Sequence, residues 1–328
     1  MAERPGEFEL IERYFRPLAS DPGAFGLTDD VAVYVPPPGE DLVLKADQIV
    51  AGVHFFAGDP PSAIASKGLR VNLSDLASKG ATPVGYLLSM ALPDDWNEDW
   101  LRDFSAGLAA DQALFGVSLF GGDTTRAAGG LTVSIAAFGR VPAGSVIRRA
   151  GAAPGDVVFV SGTIGDSALG LRIRLGTLDS MPAGKAADHL LDRYLLPQPR
   201  LALAPVLLRF ATSSLDVSDG LVGDFAHICR ASGVGGEIDA DAVPLSAGAR
   251  ALVDSDKSAL ASVLAGGDDY EILSTVPEAD AERFAAEAAE AGVPVTRIGR
   301  VVEGKAPPVV LGVNGQPLSL DAASHVHF

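Results

Sequence analysis

The sequence predicts a mixed α/β chain of two domains, and three observations carry that expectation. Short runs rich in Val, Ile, Leu and Ala alternate with stretches of helical periodicity. The 37 Gly and 22 Pro fall mainly between these runs. A chain of 328 residues buries roughly three quarters of its unfolded surface and suits about two domains of ~150 residues each.

In the N-terminal half, residues 41–50 and 84–92 read as buried strands with a helix over 63–78 between them. Trp96, Trp100 and Phe104 recur every four residues in a helix expected over 94–115, an aromatic stripe that belongs to the core and not to a ligand cage. Strands follow at 117–120 and 131–141. Residues 142–156, rich in Gly, Ala and Pro and carrying Arg148 and Arg149, read as a connection, so the expected domains are 1–147 and 148–328. The second half opens with a strand over 157–161, a turn at Gly162-Thr163-Ile164-Gly165 and a helix over 166–175. Further helices fit 186–196, 219–232 and 278–291. Leu221, Phe225 and Ile228 set the periodicity of the second, and Phe284, Ala285 and Ala288 that of the third. Asn314-Gly315 between two apolar runs predicts a hairpin turn.

The formal net charge is −17, which argues against a general nucleic-acid or anionic-membrane binder. Mean hydropathy is positive, yet no apolar run is long enough for a transmembrane span, and residues 1–15 alternate charged and apolar side chains without a signal-peptide core. A cytoplasmic protein is expected. The single Cys229 excludes an internal disulfide and any multi-cysteine metal site, so a bound metal would be held by oxygen.

Several tempting motifs fail. Residues 299–306 follow the P-loop spacing until Ala306, which lacks the hydroxyl that would hold Mg²⁺, and Pro307-Pro308 forbid the helix that must follow. Gly165-Asp166-Ser167-Ala168-Leu169 lacks the last glycine of a nucleophile elbow, which leaves Ser167 as a residue of a first helical turn. No histidine pair has metal-site spacing on a helix, and His227 reads as a satisfied polar residue. Ser74-Asp75 with Gly121-Gly122-Asp123, and Ser218-Asp219 with Gly266-Gly267-Asp268, recur with their aspartates 48 and 49 residues apart, either an internal duplication or a coincidence of short motifs.

What remains is a set of aspartates beside apolar runs and glycine pairs. Burying a carboxylate costs several kcal/mol unless it is paired, and 25 basic residues face 42 acidic ones. A bound cation is the natural partner. Carboxylates without clustered His or Cys suit Mg²⁺, which completes its shell with water and substrate phosphates, and this points to phosphoryl transfer. Glycine pairs at 121–122 and 266–267 allow backbone to approach a phosphate closely.

The ordered motifs are Thr28-Asp29-Asp30, Asp47 with Val50-Ala51-Gly52-Val53-His54-Phe55, Asn72-Leu73-Ser74-Asp75-Leu76, Gly121-Gly122-Asp123-Thr124, Asp216-Val217-Ser218-Asp219-Gly220 and Gly266-Gly267-Asp268-Asp269-Tyr270-Glu271. Together they resemble the thiamine-monophosphate kinase family, within the superfamily that also holds aminoimidazole ribonucleotide synthetase and selenophosphate synthetase. The resemblance implies a synthetase-like α/β fold with an N-terminal domain that forms a homodimer through its sheet, a C-terminal α/β domain, and ATP in the cleft between them. It further implies that Asp30, Asp47, Asp75, Asp123, Asp216 and Asp219 ligate several Mg²⁺ ions. Gly122, Asp123, Arg149 and Ser218 would contact ATP, and His54, Asp268 and His325 would face thiamine monophosphate. No residue is expected as a general base or nucleophile, because the acceptor phosphate, with a second pKa of ~6, is already mostly deprotonated at pH 7.

Four positions depart from the family pattern. Lys45 and Ala46 stand where hydroxyl residues are usual, His325 stands where an aromatic wall is usual, and Asp268 is shorter than the common Glu. Strand alternation puts Lys45 on the face of Asp47, where it either turns toward Asp30 or Asp47 or runs out to solvent. The alternatives are another ATP-using synthetase of the superfamily and a silent nucleotide-binding paralogue. Selenophosphate synthetase is disfavoured because a reactive Cys near the N-terminus is missing.

Overall fold

The computed structural model describes residues 5–178, 181–256, 259–312 and 315–318. The chain divides into one unit of Met1–Leu76 with Ala81–Gly144 and a second of Ala77–Gly80 with Ser145–Phe328.

The first unit begins with α1 (Glu7–Leu10) and short helical turns, followed by an extended stretch into β1 (Glu40–Val50). Then come α2 (Pro61–Ser78), β2 (Thr82–Leu92), α3 (Glu98–Phe115), β3 (Ser118–Arg126) and β4 (Thr132–Pro142). The sheet order is β1-β4-β2-β3, antiparallel except for the β2/β3 pair. Its period-2 alternation sends Ile49, Leu88, Met90, Val133 and Ile135 into one core with Leu69 and Leu73 of α2 and Phe104 and Leu108 of α3. Each such fully buried side chain contributes about 1.5–3 kcal/mol. The opposite face of the sheet is open, with Leu42, Leu44 and Leu87 exposed. A buried pair locks α2 to α3: Arg70 Nε donates to Asp111 Oδ2 at 2.9 Å and Nη2 to Oδ1 at 2.7 Å.

In the second unit β5 (Val157–Ser161), α4 (Asp166–Leu175), α5 (Lys185–Leu195), α6 (Ala204–Phe210), β6 (Ser213–Asp216) and α7 (Leu221–Ser232) come first. They are followed by β7 (Gly235–Asp239), α8 (Ala247–Ser255), α9 (Ala259–Ala265), β8 (Ile272–Val276), α10 (Ala281–Glu290), β9 (Val295–Val302) and β10 (Val309–Leu311). The sheet order is β10-β7-β9-β5-β8-β6, antiparallel except for β10/β7. Both faces are covered. Val158 and Val160 enter a core with Leu215, Phe225 and Leu273, while Val157 and Phe159 enter another with Phe210, Val276 and Phe284. A strand buried on two faces reads as a continuous apolar run, which is why residues 157–160 show no alternation.

The mixed α/β class and its principal elements agree with the sequence. Three helices start later than expected, each for a local reason. Asn97 caps α3 by accepting the Trp100 N–H at 2.8 Å, so residues 94–96 lie outside. Glu278–Asp280 form a 3-10 turn before α10. Ser218, Asp219 and Gly220 are held out of α7 by contacts described below. β3 runs on to Arg126, so Gly121-Gly122-Asp123 lies within a strand and not in a turn after it. α6 escaped notice because Pro205 interrupts its apolar run; proline is tolerated in a first turn. Ser74-Asp75 lies inside α2 and Asp123 inside β3, whereas Ser218-Asp219 and Gly266-Gly267-Asp268 lie in loops. The recurrent spacing therefore is not a structural repeat. The turn expected at Asn314-Gly315 falls partly outside the described residues, although Leu318 N donates to Val310 O at 2.8 Å across it.

Candidate active site

Each unit gathers its own share of the expected residues. In the first, Asp47 projects from β1 and Asp75 from α2, and the Lys45 ammonium joins them, 3.1 Å from Asp47 Oδ1 and 2.8 Å from Asp75 Oδ2. Partial burial works against a charge on Lys45, yet Asp75 and then Asp47 reverse that effect and hold the ammonium above its ordinary pKa. Lys45 thus turns inward. Its partners are Asp47 and Asp75, while Asp30 lies elsewhere.

Asp30 and Asp123 line a second feature, a groove of about 980 Å³ walled also by Phe8, Arg16 and Leu87. Cross-strand register explains the separation. Asp47 pairs with Ile135, an inward position, whereas Asp123 pairs with Ser89 and through it with Ser134, on the opposite face of the sheet. Gly122 has φ 157°, and a Cβ there would lie 1.7 Å from Leu88 O, so only glycine lets β3 press this closely on β2 beside Asp123.

His54 closes a tight turn in which its own N–H donates to Val50 O at 3.0 Å. The Val50 N–H in turn donates to His54 Nδ1 at 3.1 Å, which makes Nδ1 an acceptor and places the neutral ring's proton on Nε2. Buried Lys67 reinforces the turn by donating to His54 O at 2.9 Å.

In the second unit, Asp216 is the buried last residue of β6, and Ser218 and Asp219 lie in the loop that enters α7. This loop is zipped to the 266–271 loop by backbone bonds: Val217 N to Glu271 O at 2.7 Å, Asp268 N to Ser218 O at 2.8 Å and Tyr270 N to Val217 O at 2.8 Å. A Cβ on Gly267 would meet Ser218 O at 2.2 Å, so the approach requires glycine. Asp268 and Tyr270 adopt left-handed backbone, φ 69° and 52°, strain that the zipper sustains. The Tyr270 hydroxyl donates to Asp268 Oδ1 at 3.2 Å. Asp216, Ser218, Asp219 and Asp268 are thereby brought together.

Two supporting carboxylates were missed by sequence reasoning. Asp224, one turn into α7, accepts from the N–H groups of Ser218 (3.0 Å), Asp219 (3.0 Å) and Gly220 (3.2 Å) with a single oxygen. Burial pushes its pKa up to about 7 even though these donors favour the anion. Its position four residues after Gly220 was the available signal. Glu271, fully buried, takes Arg193 Nη2 at 2.8 Å, Arg200 Nε at 2.7 Å, a second Arg200 contact through Nη2, and the Ser161 hydroxyl at 2.6 Å, anchoring the end of the 266–271 loop.

His227 lies beside two carboxylates. One ligand atom from each of Asp219, Asp224 and His227 lies within 4.8 Å of the others. Burial, then the charges of Arg149 and Arg230, hold the imidazole below its ordinary pKa against the pull of Asp219. Arg149 itself is exposed. Ser167 lies in the first turn of α4. His325 lies outside the described residues.

Comparison with known proteins identifies the family. The family descriptions "AIR synthase related protein, N-terminal domain" and "AIR synthase related protein, C-terminal domain" match residues 28–141 and 153–312. The thiamine-monophosphate kinase of Caulobacter vibrioides is 45% identical over 93% of this chain and 86% of its own length, and that of Escherichia coli K12 is 40% identical over 98% of both. Among solved structures, the thiamine-monophosphate kinase of Stenotrophomonas maltophilia superposes with a TM-score of 0.84 at 38% identity, covering 95% of this chain and 98% of that one. AaThiL complexed with AMPPCP and TMP superposes at 0.77 with 31% identity, covering 98% and 97%. The hydrogenase maturation protein HypE, at 21% identity and a TM-score of 0.78, shares the fold. With relatives this similar over nearly the whole length of the chain, it belongs to the thiamine-monophosphate kinase family of AIR synthase related proteins.

Proposed function

We propose that this chain transfers the γ-phosphoryl group of ATP to thiamine monophosphate, giving thiamine diphosphate and ADP. The observation that carries the reading is the conjunction of family membership with two carboxylate sets, Asp47–Asp75 in the first unit and Asp216–Asp219 in the second, each fixed by its own scaffold. The donor chemistry fits a hard divalent cation of the Mg²⁺ class: every expected ligand is a carboxylate, and Asp216 is only 4% exposed. Asp30, Asp47, Asp75, Asp123, Asp216 and Asp219 would hold the ions, which when bound supply charge neutralisation between two polyanions.

The chain's own residues do the rest. Gly122 offers backbone without a side chain, and Asp123, Arg149 and Ser218 complete the contacts to ATP. His54 donates from Nε2 to the acceptor phosphate, the tautomer having been fixed by Val50. Asp268, held by Tyr270, sets a carboxylate against the cationic thiazolium. By the family resemblance, His325 would face the substrate. The acceptor oxygen is already ionised at neutral pH, so positioning and electrostatics suffice without a base or a covalent intermediate. The open sheet face with exposed Leu42, Leu44 and Leu87 supports a homodimer through the first unit. No helix among the described residues is long and apolar enough to cross a membrane, and the need for ATP supports a place in the cytoplasm.

The test is ADP release coupled to a reporter, with thiamine monophosphate, thiamine and an aminoimidazole ribonucleotide precursor offered separately. Turnover with thiamine monophosphate alone is expected. Turnover only with another acceptor would replace the reading.

A further inference from the structure

We propose that Lys45 is a resident cation of the Asp47–Asp75 pair, occupying a position that a divalent ion would otherwise take. Residues 43, 45, 47 and 49 of β1 share the face turned toward the core of the first unit, where Ile49 is buried and Val43 packs. Strand alternation therefore turns Lys45 to the core-facing side of β1, and its ammonium stands 2.8 Å from Asp75 Oδ2 of α2 and 3.1 Å from Asp47 Oδ1. The three side chains are only 30%, 38% and 17% exposed for Lys45, Asp47 and Asp75, so this is not a solvated surface pair.

An ion that used the same two oxygens would sit next to that ammonium. In the reduced dielectric of a half-buried site, a single and a double positive charge about one ionic diameter apart repel strongly. Ammonium and divalent ion thus exclude one another between these two oxygens, so that Asp47 and Asp75 would reach an ion only through their other carboxylate oxygens. A hydroxyl at position 45, by contrast, would take the ammonium away from both carboxylates and add an oxygen ligand. The ammonium has three donors; two meet the carboxylates and the third is left for a phosphate oxygen of a bound substrate. One positive charge is then present at any metal concentration.

The inference rests on the phosphotransferase reading for the role of the pair, but its test does not. Mn²⁺ bound at equilibrium to the full-length protein, with Mn²⁺ as the sole added ligand, is counted by the loss of the free-ion electron paramagnetic resonance signal for wild type, Lys45→Thr and Lys45→Met. Both variants are expected to gain one Mn²⁺ per chain over wild type, Lys45→Thr with at least ~3-fold tighter binding because it adds a ligand, and thermal melting verifies that each is folded. Mn²⁺ counts in both variants equal to wild type overturn the proposal, as does a gain in Lys45→Thr with none in Lys45→Met, which would mean that the hydroxyl and not the loss of charge creates the site. Thiamine diphosphate formation by wild type is measured in parallel: its absence would sink the functional reading while leaving the Mn²⁺ counts to decide the fate of Lys45.

Discussion

The two units hold their carboxylates by different means. In the first, Asp47, Asp75 and Asp123 project from regular elements, β1, α2 and β3, and the Asp47–Asp75 pair is balanced by a side-chain cation. In the second, Asp216 and Asp219 border a loop whose shape is set by backbone bonds to the 266–271 loop and by the three N–H groups converging on Asp224. The first arrangement is rigid because the sheet and helix are rigid, so substitutions there change charge and leave geometry intact. The second is rigid only while its internal hydrogen bonds persist, so substitutions there alter geometry first.

The largest expected effect lies in the first unit. Asp75→Asn and Asp123→Asn should each lower kcat at least ~30-fold, about 2 kcal/mol of transition-state stabilisation, with melting temperatures close to wild type. Near-wild-type turnover of both variants at saturating Mg²⁺ would mean that the charges on these elements are not used.

Next comes Asp224. Its replacement by Ala strands three N–H groups in a half-buried loop and should destabilise the chain by about 1–3 kcal/mol while raising KM for ATP ~10-fold. Asp224→Asn keeps an acceptor oxygen and should recover most of the KM. If Ala loses stability without any change in KM for ATP, the carboxylate supports the fold and not the loop's function.

The smallest effect is expected at His54, whose turn belongs to the rigid unit. His54→Asn should raise KM for thiamine monophosphate ~5-fold with kcat nearly intact, as the proposed binding role without proton transfer requires. Loss of kcat at unchanged substrate affinity would assign it a different role.

The contrast between the units also explains what was legible in the sequence. Strand and helix periodicity announced β1, α2, β2 and α3, and the family motifs marked Asp47, Asp75 and Asp123. The face on which Lys45 points follows from alternation alone, but its partner Asp75 does not, because the pairing of α2 with β1 is tertiary. Asp123 and Asp47 were expected in one set, and only the register showed that they occupy opposite faces of the sheet. In the second unit the strands β6, β7, β8 and β9 went unassigned. A short strand such as β8, buried on both faces, shows no alternation to read. Asp224 and Glu271 act through backbone groups and through arginines distant in sequence, relations that no local spacing encodes.

The claim beneath all of these is that phosphoryl transfer is direct, with fixed charges in place of a protein nucleophile. The stereochemical course at phosphorus tests it most directly, using ATP made chiral at the γ-position with sulfur and oxygen isotopes and thiamine monophosphate as acceptor. A single in-line displacement predicts inversion of configuration. Retention would require two displacements through a phosphorylated side chain, and would contradict the account.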